Sequence, residues 1–167
     1  NHMSYFVLSN LFAESFEPLK IINVSSEAHR GITLRPDDLQ NRLQYYGWHA
    51  YKRSKLANIY VTYELNKQFK DRSLTVNCLH PGLVSSDFAN NNSLPFKIVS
   101  SFIKYFGIST KEGALTSIYL ASDNSIASAS GLYFDKCRPR KSSVVSYNEE
   151  LGQSLWKYST EIMNSFG

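Results

Sequence analysis

The sequence predicts an α/β fold in which a parallel sheet is covered by helices on both faces. The first observation is that short β-branched apolar runs alternate with longer segments of helical periodicity. The second is that the runs at 20–26 and 74–82 end in Ser-Ser and Pro-Gly, residue pairs typical of strand ends. Because strands joined through helices pair in parallel, the order helix–strand–helix–strand–helix–helix–strand–helix favours this architecture.

The individual elements follow from local patterns. Five segments carry apolar residues at the spacing of an amphipathic helix: 1–16, 48–70, 95–107, 109–123 and 148–163. The fourth begins with Ser109 or Thr110 as its N-cap, with Glu112 in its first turn. Three strands are predicted, at 20–26, 74–82 and 131–135. Three strands form a narrow sheet, so we expect strand 20–26 to lie at an exposed edge.

The composition fits one globular unit spanning residues 1–167. Hydrophobic residues make up 43% of the chain and charged residues 19%, which excludes a disordered protein. The net charge is only +4, and we expect the densest basic run, "RPRK" at 138–141, to be a solvated loop and not a nucleic-acid contact. The four histidines lack metal-ligand spacing, so no metal site is predicted. Two cysteines and no signal peptide favour an intracellular location.

A Tyr-x-x-x-Lys spacing occurs twice on the predicted helix 48–70, at Tyr51–Lys55 and at Tyr63–Lys67. Both spacings place the two side chains on one helix face. The second tyrosine follows twelve residues later, so at about 100° per residue it points roughly 120° away from the first. Ligands of parallel sheets bind at the carboxyl ends of the strands, where the following segments begin. Tyr51 lies near that edge, and we assign Tyr63–Lys67 to packing and solvent.

Several motifs in their order resemble the short-chain dehydrogenase/reductase family. Ser26 follows a strand, "YKRSKLAN" holds Tyr51 and Lys55, and "LHPGLVSS" follows the next strand. The opening "NHMSYFVLSNLF" and the ending "GLYFDKC…LWKYS" are similar to the retinol-dehydrogenase-like branch, which includes the oxidoreductase domain of the WW-domain-containing oxidoreductase. The resemblance covers essentially all 167 residues.

This resemblance implies the C-terminal part of a Rossmann-type doubly wound sheet. The family's domain begins with a Gly-rich turn that holds the cofactor pyrophosphate at a helix N-terminus. No such turn occurs among the eight glycines of this sequence. We therefore expect the chain to be the catalytic and substrate-binding C-terminal half of one domain, inactive when isolated.

The resemblance also assigns roles to individual residues. It implies that Tyr51 exchanges a proton with the substrate oxygen and that Lys55 lowers the pKa of its phenol and contacts the nicotinamide ribose. Ser26, the second serine of the family's pair, holds the substrate oxygen, and Asn1 anchors a water chain that leads to the lysine. The expected contacts to the nicotinamide come from Pro81, Gly82, Val84 and Ser86. The resemblance implies a nicotinamide cofactor, for which we favour NADP(H) over NAD(H).

The expected substrate is a lipophilic alcohol or carbonyl compound, such as a retinoid, a steroid or a lipid aldehyde or ketone. Segment 93–107 occupies the position of the family's substrate lid and is rich in aromatic and aliphatic residues. Core packing, a lipophilic pocket and contact with an internal membrane surface all fit this composition. A homo-oligomer is compatible with the sequence. The alternative function is that of an inactive, truncated family member that serves as a binding or regulatory module.

Overall fold

The computed structural model describes residues 1–82 and 107–166. The helices in this part of the chain are α1 (Met3–Ser15), α2 (Gly47–Gln68), α3 (Thr110–Ser122) and α4 (Glu149–Asn164). The strands are β1 (Leu19–Val24), β2 (Leu74–His80), β3 (Tyr133–Asp135) and β4 (Arg138–Arg140). These bounds confirm four of the five predicted helices and all three predicted strands. The predicted helix at 95–107 lies, apart from its last residue, outside the described residues.

The strands form one sheet in the order β1-β2-β3-β4. The pairs β1–β2 and β2–β3 are parallel, and β3–β4 is antiparallel. Val24 is paired with Leu79, and His80 is paired with Asp135, so the carboxyl ends of the three parallel strands meet at one edge of the sheet. The predicted α/β fold is confirmed, and this edge is where a ligand site is expected.

The fourth strand corrects the prediction that 138–141 forms a loop. Arg138–Arg140 is solvent-exposed as expected, but it pairs with β3 through a tight turn. Lys136 and Cys137 in that turn have φ values of 50° and 59°, the left-handed conformation that tight hairpins require. Neither residue is a usual choice in such a turn, so no turn could be predicted there. Pro139 lacks a backbone N–H and is tolerated because the strand lies at the sheet edge.

Helix α2 forms the centre of the packing. Its residues Leu56, Ile59 and Leu65 are fully buried. On one side of it, Phe6 of α1 packs edge-on against Trp156 of α4, with ring centroids 4.9 Å apart at 70°. Burying these aromatic and aliphatic side chains is the main favourable contribution to folding. The long central helix is therefore held on three sides, which fixes the orientation of the residues near its N-terminus.

Side chains cap two of the helices, and the cap of α3 is Ser109, one of the two predicted positions. The Ser109 side chain accepts from the Glu112 backbone N–H while the Glu112 carboxylate accepts from the Ser109 N–H, a complete capping box at the start of α3. Asn148 caps α4 by accepting from the Leu151 N–H at 3.0 Å. None of the helices within 1–82 and 107–166 combines the length and apolar character needed to cross a bilayer.

The outer edge of β1 faces no other strand of the described ranges, as predicted for strand 20–26. Apolar side chains are also exposed on nearby helices. They are Leu8, Leu11 and Phe12 on α1, Phe16 directly after it, and Leu115 and Ile118 on α3, each about half exposed. An open strand edge beside exposed apolar helix faces favours association with another polypeptide segment.

Candidate active site

Tyr51 and Lys55 lie on the N-terminal half of α2 at the carboxyl end of β1. The Lys55 ammonium donates a hydrogen bond of 3.1 Å to the carbonyl oxygen of Val24, the last residue of that strand. Its Nζ is 5.9 Å from the ring centroid of Tyr51 and 5.7 Å from that of Tyr5. One cation therefore lies between two phenol rings at the edge of the sheet where the sequence predicted the site.

The environment of Lys55 differs from that of a surface lysine. Burial lowers the pKa of its ammonium, because the charged form is incompletely solvated. Burial, with a smaller contribution from Tyr51, raises the pKa of Tyr5, which keeps that phenol neutral. A partly desolvated cation interacts more strongly with a nearby anion than a fully hydrated one does.

Trp48 fixes the ring of Tyr51 from the other side. The two rings are stacked, with centroids 5.6 Å apart and an angle of 20° between their planes. Trp48 is about half exposed, and Tyr45 and Tyr46 of the preceding loop are more exposed still. An aromatic surface thus borders the candidate acid/base residue.

The two serines after β1 have different partners. Ser25 is buried, and its hydroxyl donates to the Lys55 carbonyl oxygen at 2.8 Å. Ser26 begins the short 3₁₀ helix Glu27–His29, and its oxygen accepts from the Ala28 N–H at 3.2 Å. That bond uses a lone pair of Ser26 and leaves its O–H able to donate. Ser25 thus supports the backbone of α2, and Ser26 is the serine that can donate to a ligand.

Pro81 and Gly82 follow β2 at the same edge of the sheet. Gly82 has a φ of 93°, a conformation that L side chains rarely adopt. A Cβ built on it would lie 2.5 Å from Cδ1 of Ile108, so an added side chain would require Ile108 to move. Ile108 already fills the space that a side chain at position 82 would occupy, so both the conformation and the packing favour glycine here. Val84 and Ser86, the other two predicted cofactor contacts, lie outside the described residues.

Asn1 is exposed and lies ahead of α1. It contributes to a cavity of about 760 Å³ whose walls also include α2 residues such as Ala50 and Ala57, with Leu155 of α4. Its expected link to Lys55 through water stays a prediction.

The second Tyr-x-x-x-Lys pair is engaged in structural contacts. The Tyr63 hydroxyl is 2.7 Å from the Ser142 hydroxyl, and its ring stacks on Tyr147 with centroids 5.5 Å apart. Burial raises the pKa of Tyr63 strongly, which opposes any acid/base role near neutral pH. Lys67 forms ion pairs of 3.1 Å with both Glu64 and Glu149. These contacts agree with the assignment of this pair to packing and solvent.

The sequence favours a structural role for His80, but it does not indicate the contacts that hold the turn after β1. The Nδ1 of His80 accepts from the Glu27 N–H at 3.2 Å. His29 is fully buried, and its ring contacts both the Ser26 carbonyl oxygen and the Ser143 N–H. The available signals were weak: His80 directly precedes Pro81, and His29 follows Ser26 by three residues. Isolated histidines of this kind do not indicate a partner.

Comparison with known proteins gives close sequence relatives. The chain is 36% identical to retinol dehydrogenase 14 of Homo sapiens over 173 residues, covering 98% of this chain and 50% of that protein. It is 34% identical to the polyprenol dehydrogenase of Danio rerio, with 98% and 53% covered. It is also 34% identical to the WW domain-containing oxidoreductase of Drosophila melanogaster, with 98% and 42% covered. The chain spans about half the length of the curated relatives it matches.

The fold has a counterpart among solved structures. A crystal structure of an uncharacterised protein from Mycobacterium paratuberculosis superposes with a TM-score of 0.73, covering 98% of this chain and 57% of that chain. The two are 24% identical, so this likeness establishes the fold alone. No protein-family model matches the chain. The sequence relatives and the Rossmann-like sheet together show that the chain belongs to the short-chain dehydrogenase/reductase family, in the branch of the retinol dehydrogenases and the WW domain-containing oxidoreductase.

Proposed function

We propose that this chain forms the proton-transfer and substrate side of an oxidoreductase that interconverts an alcohol and a carbonyl compound. The observation that carries the proposal is the position of Tyr51 and Lys55 at the carboxyl end of β1, with Lys55 Nζ 5.9 Å from the Tyr51 ring. The matching pair at Tyr63 and Lys67 is held in ion pairs and ring stacking instead. Only the first pair can meet a ligand at the edge of the sheet.

Tyr51 is the proposed general acid and base. A free tyrosine has a pKa of about 10, so its phenolate is scarce at neutral pH. The neighbouring Lys55 cation stabilises the phenolate and makes proton exchange with the substrate oxygen easier in both directions. Stacking on Trp48 restricts the ring to one orientation. Tyr51 then donates its proton when the substrate oxygen gains negative charge and accepts it in the reverse reaction.

Ser26 is the proposed second contact to the substrate oxygen. Its oxygen accepts from the Ala28 N–H, and its O–H remains available to donate. A donor fixed toward an oxygen that develops negative charge contributes to transition-state stabilisation, typically about 10²–10³ in rate. Asn1 remains the proposed anchor of a water chain to Lys55.

The described residues fit the nicotinamide end of a dinucleotide cofactor. Lys55 supplies an ammonium that donates hydrogen bonds, and Gly82 lies after β2 at the same edge of the sheet. Pro81, Val84 and Ser86 complete the proposed contact set, with NADP(H) favoured over NAD(H). When bound, the cofactor supplies or accepts the hydride. The 167 residues contain no Gly-rich turn for its pyrophosphate.

The proposed substrate is lipophilic. Two of the relatives are named for retinol and polyprenol, which are apolar alcohols. In this chain an exposed apolar surface precedes Tyr51, consisting of Leu43, Tyr45, Tyr46 and Trp48. Such a surface favours an isoprenoid or polyene chain over a sugar. Contact of 93–107 with an internal membrane and assembly into a homo-oligomer are further proposals. Residues 93–106 of that segment lie outside the described part of the chain.

The test is turnover by the complete protein. Oxidation of a long isoprenoid alcohol and of a hydrophilic polyol would be followed with NADP⁺ and with NAD⁺, alongside Tyr51→Phe. We expect the wild-type protein to oxidise the isoprenoid alcohol with NADP⁺. We expect Tyr51→Phe to show no turnover. A folded protein that binds NADPH but turns over no alcohol or carbonyl compound would support a binding or regulatory module instead.

A further inference from the structure

The turn that carries Ser26 is held by two histidines, His29 within the turn and His80 at the end of β2. On one side, the N–H of Glu27 donates to Nδ1 of His80 at 3.2 Å. On the other side, Nδ1 of His29 is 2.6 Å from the Ser26 carbonyl oxygen, and Nε2 of His29 accepts from the Ser143 N–H at 3.0 Å. The peptide groups next to Ser26 are therefore bonded to imidazole rings.

These bonds determine where each ring carries its proton. A backbone N–H can only donate, so the ring nitrogen that faces it must present a lone pair. His29 accepts at Nε2 and therefore has its proton on Nδ1, which donates to the Ser26 carbonyl oxygen. His80 accepts at Nδ1 and therefore has its proton on Nε2. The two rings are neutral and are in opposite tautomers, and a protonated ring could not make either accepting bond.

We propose that His29 and His80 are positioning residues for Ser26, which they hold at the reaction site as neutral imidazoles in opposite tautomers. The inference rests on the proposed function, because it gives Ser26 the role of donor to the substrate oxygen. Neither histidine needs to touch the substrate. His80 fixes the peptide that follows Ser26, and His29 fixes the Ser26 carbonyl and links it to the segment that precedes α4.

Titratable and charged groups from the neighbouring elements surround the two rings. They are Glu27 and Arg30 from the turn, Tyr133 and Asp135 from β3, and Arg140 from β4. Glu27 accepts from Arg30 and from the Tyr133 hydroxyl at 3.1 Å, and Arg140 donates to Asp135 at 2.6 Å. Each nearby acid is thus paired with a donor. Burial is the largest influence on both rings and lowers the pKa of each, which favours the neutral forms.

A pair of variants at His80 separates positioning from general stability. His80→Asn places an amide oxygen near the position of Nδ1, so it can still accept from the Glu27 N–H, whereas His80→Leu has no acceptor. In the complete protein we expect kcat to fall about tenfold or more in His80→Leu, since small displacements of catalytic groups are costly. His80→Asn should stay within about threefold of wild type, and the NADPH Kd should change little in either variant. Equal kcat losses in the two variants would overturn the proposal.

Two measurements do not depend on activity. The ¹⁵N shifts of the histidine side chains at pH 7 should show the Nδ1–H tautomer for His29 and the Nε2–H tautomer for His80. A charged ring or the reverse tautomer at either position would contradict the inference.

The second measurement is the rate of hydrogen exchange at the Glu27 backbone amide. If wild-type turnover is absent altogether, the proposed function fails, and this exchange rate alone tests whether His80 holds the turn. Faster exchange in His80→Leu but not in His80→Asn supports it, and equal exchange refutes it.

Discussion

The ammonium of Lys55 donates a 3.1 Å hydrogen bond to the carbonyl oxygen of Val24. This bond ties the first half of α2 to the last residue of β1 and brings a cation to the carboxyl edge of the sheet. Asn58, one turn further along the helix, donates to the same oxygen at 3.3 Å. The position of Lys55 thus depends on the fold around it and not only on its spacing from Tyr51.

The two tyrosines that share the Tyr-x-x-x-Lys spacing should respond differently to mutation. In the complete protein, Tyr51→Phe should abolish measurable turnover because it removes the proton donor, with the cofactor Kd largely unchanged. Tyr63→Phe should retain turnover and lose about 1 kcal/mol of unfolding free energy, since it breaks the bond to Ser142. Steady-state rates, NADPH titration and thermal unfolding of both variants provide the check. Wild-type turnover in Tyr51→Phe would refute the assignment.

Lys55→Met should separate activity from stability. We expect turnover and cofactor affinity to fall, because the cation is proposed to serve both the phenolate and the ribose. Stability should not fall, since methionine removes a partly buried charge.

The pH dependence of that variant has a defined sign. Burial lowers the pKa of Lys55 in the folded state, so the unfolded chain binds more protons between that lowered pKa and the ordinary value of 10.5. Wild type therefore gains stability relative to Lys55→Met as the pH rises through this window. Thermal unfolding of both proteins from pH 7 to 10 measures this change in relative stability. If wild type instead lost stability relative to Lys55→Met as the pH rises, the effect of burial on the Lys55 pKa would be contradicted.

Ser26 and Ser25 form a matched pair for mutation. Ser26→Ala should lower kcat by about 10²-fold, because it removes a donor to the substrate oxygen. Ser25→Ala should lower the unfolding free energy by about 1 kcal/mol, since the lost bond supports the Lys55 backbone. Stopped-assay rates and urea unfolding distinguish the two effects. A larger kcat loss in Ser25→Ala than in Ser26→Ala would reverse the assignment.

The neutral histidines predict a loss of stability in acid. The pKa values of His29 and His80 are lowered in the folded state, mainly by burial. The unfolded chain therefore binds more protons below the ordinary pKa of 6.5, and stability falls as the pH drops from there toward the lowered values. His80→Asn should lose less stability than wild type between pH 7 and 5. The measurement is the free energy of unfolding in urea at each pH. If it fell by the same amount in both proteins between pH 7 and 5, His80 would not contribute to the loss of stability in acid.

The open edge of β1 predicts how residues 1–167 behave when expressed alone. We expect a poorly soluble or self-associated product without nicotinamide-dependent activity, because β1 and the apolar face of α1 are exposed together. Replacing Phe12 and Phe16 with lysine tests the helix face separately from the strand edge. Light scattering and NADPH titration are the measurements, and a monodisperse monomer that binds NADPH tightly would contradict this expectation.

Local patterns predicted most of the fold because each element carries its own signal. The helix from Gly47 to Gln68 and the strand from Leu74 to His80 have clear apolar periodicity, and Ser109 is a standard cap. The strand Arg138–Arg140 could not be predicted, since its three residues are polar or proline and its pairing depends on an unusual turn. Strand β1 also ends at Val24 and not at Ser26, a boundary set by the pairing with β2.

The candidate site was only partly predictable. Tyr51 and Lys55 are neighbours on one helix, so their spacing was informative. The contacts of His29 and His80 join residues 114 and 53 positions apart, and no local pattern encodes them. Trp48 lies three residues before Tyr51 on the same helix, a spacing that permits their stacking without showing the ring geometry.

The bond between His29 and Ser143 has a consequence for the timing of synthesis. A ribosome must add 114 further residues after His29 before the partner amide exists, and the exit tunnel delays its emergence further. Until then His29 can bond to the Ser26 carbonyl but lacks the donor that fixes its tautomer. Residues 1–68 precede Ser143 in synthesis, yet Ser26 acquires its final geometry only after Ser143 has emerged. A premature stop codon between 141 and 143 would thus leave every strand of the described sheet encoded while removing one of the two constraints on Ser26.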